Sequence, residues 1–142
     1  MEGQPTNEQE QEVLLHLLVA EDDKLLQALL QMALKTRLQV HVDFVSNGQE
    51  ALEKLQEDPS INALMTDRDM PGVNGIDLIR QVRVQHEKMP ITLASGNSLE
   101  TKDLENEMQE LKVSIMPKPY TPTNLQEMVQ DYRKMLNPSK SQ

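Results

Sequence analysis

Short apolar runs of strand length alternate with stretches of helical period five times along this chain, and that alternation leaves few folds open. The runs are Leu14 to Ala20, Val40 to Val45, Ile61 to Thr66, Ile91 to Ala94 and Val113 to Pro117. After each run, apolar residues recur at three- and four-residue intervals. The sets are Leu25, Leu26, Leu29, Leu30, Ala33 and Leu34; Ala51, Leu52 and Leu55; Ile76, Ile79 and Val82, with Arg83; Leu104, Met108 and Leu111; and Leu125, Met128, Val129, Tyr132 and Leu136. Each set predicts a helix with one buried stripe. The punctuation agrees: Asn47-Gly48 closes the second strand, Asp58-Pro59-Ser60 separates helix from strand, Pro71-Gly72 and Asn74-Gly75 bracket a loop, and Thr121-Pro122 opens the last helix. A βα unit repeated five times predicts an α/β fold, a single doubly wound parallel sheet with helices on both faces, because parallel strands need crossover connections. Val40, Val42 and Phe44 alternate with His41 and Asp43, the pattern of a half-exposed strand, so the second strand is placed at the sheet edge.

A chain of 142 residues is one domain's worth and buries about two-thirds of its unfolded surface without staples. The predicted organisation is a polar extension over 1–12, one domain over 13–136 and a short polar tail over 137–142. No cysteine is present, which excludes a disulfide framework and thiolate zinc sites and suits a reducing compartment. The opening segment has no cationic start, and no run approaches the roughly 18 apolar residues of a membrane span. The expectation is a soluble, cytoplasmic protein with no membrane partner. A net charge of -9, no basic cluster and only Phe44, Tyr120 and Tyr132 as aromatics argue against a nucleic-acid partner.

In doubly wound folds ligands sit outside the carboxyl ends of the strands. Four of the five runs end there in a polar residue: the first in Glu21-Asp22-Asp23, the third in Asp67, the fourth in Ser95 and the fifth in Lys118. Glu21, Asp22 and Asp67 would repel one another at one place unless a cation sat among them, and oxygen ligands suit a hard ion, which points to Mg2+. With the metal neutralising two phosphoryl oxygens and Lys118 beside a third, the Asp67 carboxylate can attack phosphorus in line to form an acyl phosphate, to which Ser95 donates a hydrogen bond. No histidine is needed, and His16, His41 and His86 are expected away from the strand ends. Competing readings exist for the parts. An acidic cluster after a strand is often a solvated helix start, which is how Asp23 is read. Asp67-Arg-Asp-Met-Pro-Gly also looks like a calcium-loop fragment, but its fifth place is Pro71 and its twelfth is Leu78, where a bidentate Glu is required.

Leu-Val-Ala-Glu-Asp-Asp at 18 to 23, Asp-Arg-Asp-Met-Pro-Gly-Val-Asn-Gly at 67 to 75, Leu-Ala-Ser-Gly at 93 to 96 and Lys-Pro-Tyr at 118 to 120 follow in an order and spacing that resemble the receiver domain of bacterial two-component response regulators. The resemblance spans about residues 13 to 136. It implies a flavodoxin-like sheet of strand order 2-1-3-4-5, Asp67 as phosphoacceptor, Glu21, Asp22, Asp67 and the backbone carbonyl of Asp69 as Mg2+ ligands, Ser95 as switch hydroxyl, and Lys118 before a cis proline. The implied partners are a sensor histidine kinase or a histidine phosphotransfer protein, and a downstream protein engaged through helix four, strand five and helix five. Such a domain promotes its own phosphorylation and dephosphorylation and is not a metabolic enzyme. Asp69 and Asn97 fall where groups near the phosphate influence its lifetime, and Tyr120 is assigned only packing against the last helix. Three positions depart from the pattern: Ile115 stands where an aromatic is usual, Gly96 where alanine is common, and Pro117 precedes the lysine. Ile115 motivates an alternative, a receiver-like adaptor that binds partners without phosphorylation-dependent switching. A flavodoxin-like small-molecule binder is a weaker third reading, because no serine- or glycine-rich phosphate loop follows the first strand.

Overall fold

A computed structural model describes residues 12–96 and 99–138 of the chain. Most of the expected extension, the last residues of the tail and Asn97 therefore lie outside the described residues. Five strands form one parallel sheet: β1 (His16–Ala20), β2 (His41–Val45), β3 (Ala63–Asp67), β4 (Ile91–Ser95) and β5 (Val113–Pro117), in the spatial order β2-β1-β3-β4-β5. The crossovers are α1 (Lys24–Gln31, continued by a π-helical turn Met32–Arg37), α2 (Gly48–Glu57), α3 (Gly75–Gln85), α4 (Lys102–Glu110) and α5 (Pro122–Leu136). The fold is the flavodoxin-like one, with β2 at an edge as its alternation predicts.

Every residue of β1, β3 and β4 is buried, because helices cover both faces of these central strands. Successive side chains point to opposite faces and so divide the core in two. Leu17 and Val19 pack with Leu30 and Leu34 of α1 and with Leu125, Met128, Val129 and Tyr132 of α5. Leu18 and Ala20 pack with Ala51 and Leu55 of α2, Ile76, Ile79 and Val82 of α3, and Met108 of α4. Each helix starts where a polar side chain takes up its first free N–H groups. Asp23, Asn47, Asn74, Thr101 and Thr121 do so for α1 to α5, and Thr121 and Asn124 cap each other reciprocally behind Pro122. Asp23 thus has the helix-terminal part expected of it.

Two expectations need correction. The first helix was predicted to carry one buried stripe, but only Leu30 and Leu34 are buried, while Leu25 is 71 % exposed and Leu29 also faces solvent. Its apolar residues form two adjacent rows about 100° apart, and the sheet covers just one of them. Arg83, which falls on the α3 period, is no core filler: its guanidinium donates to the carbonyls of Leu111 at 2.8 Å, His86 at 2.8 Å and Met89 at 2.7 Å. That fork ties the end of α3 to the turn before β5. At the other side of the domain Asn137 clasps Val13 in both directions, its Oδ1 accepting at 2.8 Å and its Nδ2 donating at 2.9 Å, which joins the end of α5 to the start of β1. No helix among the described residues is long and apolar enough to cross a membrane.

Candidate functional site

The carboxyl ends of β1, β3, β4 and β5 lie side by side, and their register sets the positions of the four polar termini. Ala20 pairs with Thr66, Asp67 with Ala94, and Ser95 with Pro117, so Glu21, Asp67, Ser95 and Lys118 all emerge along one edge of the sheet. The Lys118 N–H donates to the Ser95 carbonyl at 2.9 Å, and the bond from Lys118 to Pro119 is cis. Carboxylate oxygens of Glu21, Asp22 and Asp67 come within 4.8 Å of one another. The Lys118 ammonium donates to Asp67 Oδ1 at 3.1 Å and to Glu21 Oε1 at 3.5 Å.

Burial differs sharply within this group. Glu21 is 3 % exposed, Asp67 8 % and Ser95 4 %, whereas Asp22 and Asp69 are exposed. Glu21 is held by its own N–H donating to Val45 at 3.0 Å, and its Oε2 accepts from the Asp23 N–H at 3.0 Å. The Gln27 side-chain amide donates to its backbone carbonyl. Burial pushes the Glu21 carboxyl above its ordinary value; the Asp23 bond pulls the other way, and the Asp67 charge adds to the rise. Burial works against the Lys118 charge too, but Asp67 and then Glu21 hold its ammonium above the usual lysine value. Three carboxylates against one ammonium leave an excess of negative charge in a small space, and the all-oxygen donor set fits a hard divalent ion.

Two residues here were not legible as parts of the site. Gly75, read only as a loop residue, is buried against the end of β3: a Cβ placed on it would lie 2.2 Å from the Asp67 carbonyl oxygen and 2.9 Å from the Arg68 Cα. Its N–H donates to the Arg68 carbonyl at 2.9 Å, so α3 begins in direct contact with the backbone that carries Asp67. Tyr120 packs in the α1/α5 core as expected, but its hydroxyl is buried without a hydrogen-bond partner among the described residues. Burial first, then the charges of Glu21, Asp67 and Asp23, raise its pKa. His16 and His41 open β1 and β2 at the amino ends of the strands and His86 caps the end of α3, so none of the three lies at the carboxyl edge that gathers the acidic residues.

The model of the response regulator receiver domain matches residues 17–130. A chemotaxis protein CheY homolog from Campylobacter jejuni is 31 % identical over 126 residues, covering 82 % of this chain and 91 % of its own length. Among solved structures, a CheY-like response regulator receiver domain protein from Methanospirillum hungatei superposes with a TM-score of 0.78 at 16 % identity, covering 89 % of this chain and 98 % of that one. The receiver domain of a sensor histidine kinase from Pseudomonas aeruginosa, solved with a magnesium ion coordinated in its active-site cleft, superposes with a TM-score of 0.72 at 24 % identity, covering 84 % and 98 %. At these identities the two structures speak for the fold alone, while the family match and the Campylobacter relative extend to the sequence. The chain belongs to the response regulator receiver domains of two-component signalling.

Proposed function

We propose that this receiver domain accepts a phosphoryl group on Asp67 from a phosphohistidine of a sensor histidine kinase or a histidine phosphotransfer protein, with Mg2+ as cofactor. The observation that carries the reading is the convergence of Glu21, Asp22 and Asp67 within 4.8 Å, with the Lys118 ammonium bonded to two of the three. Glu21, Asp22, Asp67 and the backbone carbonyl of Asp69 would hold the ion, which when bound supplies positive charge to two phosphoryl oxygens. Lys118 places its own charge beside the third. The Asp67 carboxylate oxygen attacks phosphorus in line; the new O–P bond forms as the P–N bond of the phosphohistidine breaks, and the departing imidazole nitrogen keeps the electron pair and takes a proton.

The acyl phosphate adds charge and acceptor oxygens beside Ser95, whose hydroxyl donates to one of them. That bond draws the end of β4 toward Asp67 and shifts the population of the adjoining loops. The surface of α4, β5 and α5 reports the shift. Ile115 stands 44 % exposed on β5. Having no ring to swing inward, it leaves the Ser95 loop to start the shift that this surface reports. Leu25 is exposed in the first turn of α1, which follows the acidic run Glu21-Asp22-Asp23, and would offer a phosphodonor an apolar contact. By their sequence positions, two residues beyond Asp67 and Ser95, Asp69 and Asn97 are our candidates for groups that influence how long the phosphoryl group survives.

Incubation with Mg2+ and a small acyl-phosphate donor, followed by intact mass, tests the chemistry. The expected result is the gain of one phosphoryl group, absent in Asp67→Asn and absent when Mg2+ is chelated. No gain with any donor would favour the adaptor reading, as would identical partner capture with and without a phosphoryl mimic.

A further inference from the structure

A second cluster of ligating side chains lies at the amino ends of β1 and β2, a strand's length, about 16 Å, from the acidic pocket. The parallel register pairs His16 directly with His41, and Asp43, two residues on, projects from the same face of β2. The rings of His16 and His41 stack with centroids 3.7 Å apart and planes 8° from parallel. One ligand atom from each of His16, His41 and Asp43 lies within 4.8 Å of the others. His16 is buried, Asp43 is half-buried and His41 is exposed.

The hydrogen bonds around His16 fix which of its nitrogens faces the cluster. Ser60 Oγ has one hydrogen and gives it to Asp58 Oδ1 at 2.6 Å, a bond that lowers the Asp58 pKa. Ser60 Oγ therefore accepts from the Nδ1–H of His16 at 2.9 Å. Nε2 then points at Asp43 Oδ2, 2.6 Å away. With the Nδ1 hydrogen committed, a neutral His16 would aim a bare lone pair at a carboxylate oxygen. Something positive has to lie between the two atoms, either a proton or a metal ion.

We propose that His16 Nε2, His41 and Asp43 form a metal site for a borderline divalent ion of the Zn2+ class, separate from the hard-ion pocket around Asp67. The donor set of two imidazoles and one carboxylate suits Zn2+, Co2+ or Ni2+ rather than Mg2+. The Asp58-Ser60-His16 relay is the outer shell that holds a ligating imidazole in one tautomer. Metal–ligand bonds of about 2.0 to 2.1 Å in a tetrahedral site put ligand atoms roughly 3.3 Å apart. Asp43 has to withdraw by well under 1 Å from its 2.6 Å contact, which its place on an edge strand allows. His41 has to turn its ring out of the stack, and its exposed side chain is free of core packing. Three protein ligands leave one position for water or for a side chain from another molecule. The ion would pin edge strand β2 to β1.

Titration of the full chain with Co2+ alone, followed by its visible ligand-field spectrum, and with Zn2+ alone by calorimetry, tests this. An Asp22→Asn, Asp67→Asn background removes the acidic pocket as a competing site. The expected result is one equivalent bound in that background, weakened at least tenfold by His41→Ala and by Asp43→Asn, and weakened about tenfold by Ser60→Ala through the lost relay. His41 is exposed, so its replacement leaves the fold intact, and circular dichroism checks that it does. Binding that disappears with the acidic pocket and ignores His41→Ala overturns the proposal. So does the absence of any Co2+ or Zn2+ binding in that background, which would leave a proton as the only cation between His16 and Asp43.

Discussion

Gly75→Ala is the substitution whose effect the geometry specifies most closely. A Cβ at this position meets the Asp67 carbonyl oxygen at 2.2 Å, Arg68 Cα at 2.9 Å and the Asp67 carbonyl carbon at 3.0 Å. All three are backbone atoms, so no flexible side chain can swing aside. Bringing the closest contact from 2.2 Å to the 3.0 Å below which real Cβ atoms essentially never approach requires the start of α3 and the end of β3 to part by at least 0.8 Å. Overpacking of this kind costs about 2 to 3 kcal/mol, and near 4 °C per kcal/mol for a domain of this size the midpoint falls by roughly 8 to 12 °C. The same displacement moves Asp67, the proposed nucleophile. Misplacement of a reacting group by about 1 Å lowers rates on the order of 100-fold, so phosphorylation by a small acyl phosphate should slow by about that factor. Thermal unfolding followed by far-UV circular dichroism, in a chain without tryptophan, and phosphorylation followed by intact mass give the two readouts. Gly96→Ala is the internal control: it stands at the same edge with nothing within 4 Å of a Cβ, so stability should hold within about 0.5 kcal/mol or rise slightly. A Gly75→Ala protein with wild-type midpoint and rate would refute the claim that this contact positions Asp67.

Replacing Glu21 changes the pH dependence in a defined direction. Because the folded-state pKa of Glu21 lies above its ordinary 4.5, the folded chain binds more protons between the two values, and stability falls as pH rises through that window. Glu21→Gln should remove that fall and raise the urea midpoint at neutral pH. Lys118 acts in the same direction at higher pH: its pKa is raised above 10.5, so its contribution is full below that value and is lost as pH climbs through the folded-state pKa. Lys118→Met should slow phosphorylation roughly 100-fold, the loss expected when one charged donor to the transferring group is removed, with Asp67 still the modified residue on peptide mapping. Arg83→Met leaves the Leu111, His86 and Met89 carbonyls without their shared donor and should cost about 3 kcal/mol in a denaturant melt, with no change in phosphorylation rate once folded.

The element order was legible because central parallel strands are buried on both faces and so appear as near-continuous apolar runs, as β1, β3 and β4 do. The polar termini were legible for the same reason: Glu21, Asp67 and Lys118 each directly follow or end an apolar run, and one common edge collects them. What escaped depends on contacts between segments far apart in sequence or on which half of a helix faces the sheet. Gly75 shows as a loop glycine until the approach of α3 to the end of β3 is known. Arg83 falls on the α3 period because its stem lies along the buried face, and its fork is read only from the carbonyls it reaches. Leu25 and Leu29 match the helical period as well as Leu30 and Leu34 do, and periodicity alone does not say which row the sheet covers. The stacking of His16 on His41 follows from the register of β1 against β2, which no local pattern specifies.

The central claim is that Glu21, Asp22, Asp67 and Lys118 form one phosphoryl-handling site, and a crystal structure with Mg2+ and beryllium fluoride tests it most directly. The account predicts the fluoride complex joined to an Asp67 carboxylate oxygen, Mg2+ among Glu21, Asp22, Asp67 and the Asp69 carbonyl, the Lys118 ammonium on one fluorine, and the Ser95 hydroxyl moved to another. Beryllium fluoride or the ion bound elsewhere, or Lys118 remaining on Glu21 with Asp67 unmodified, would contradict it.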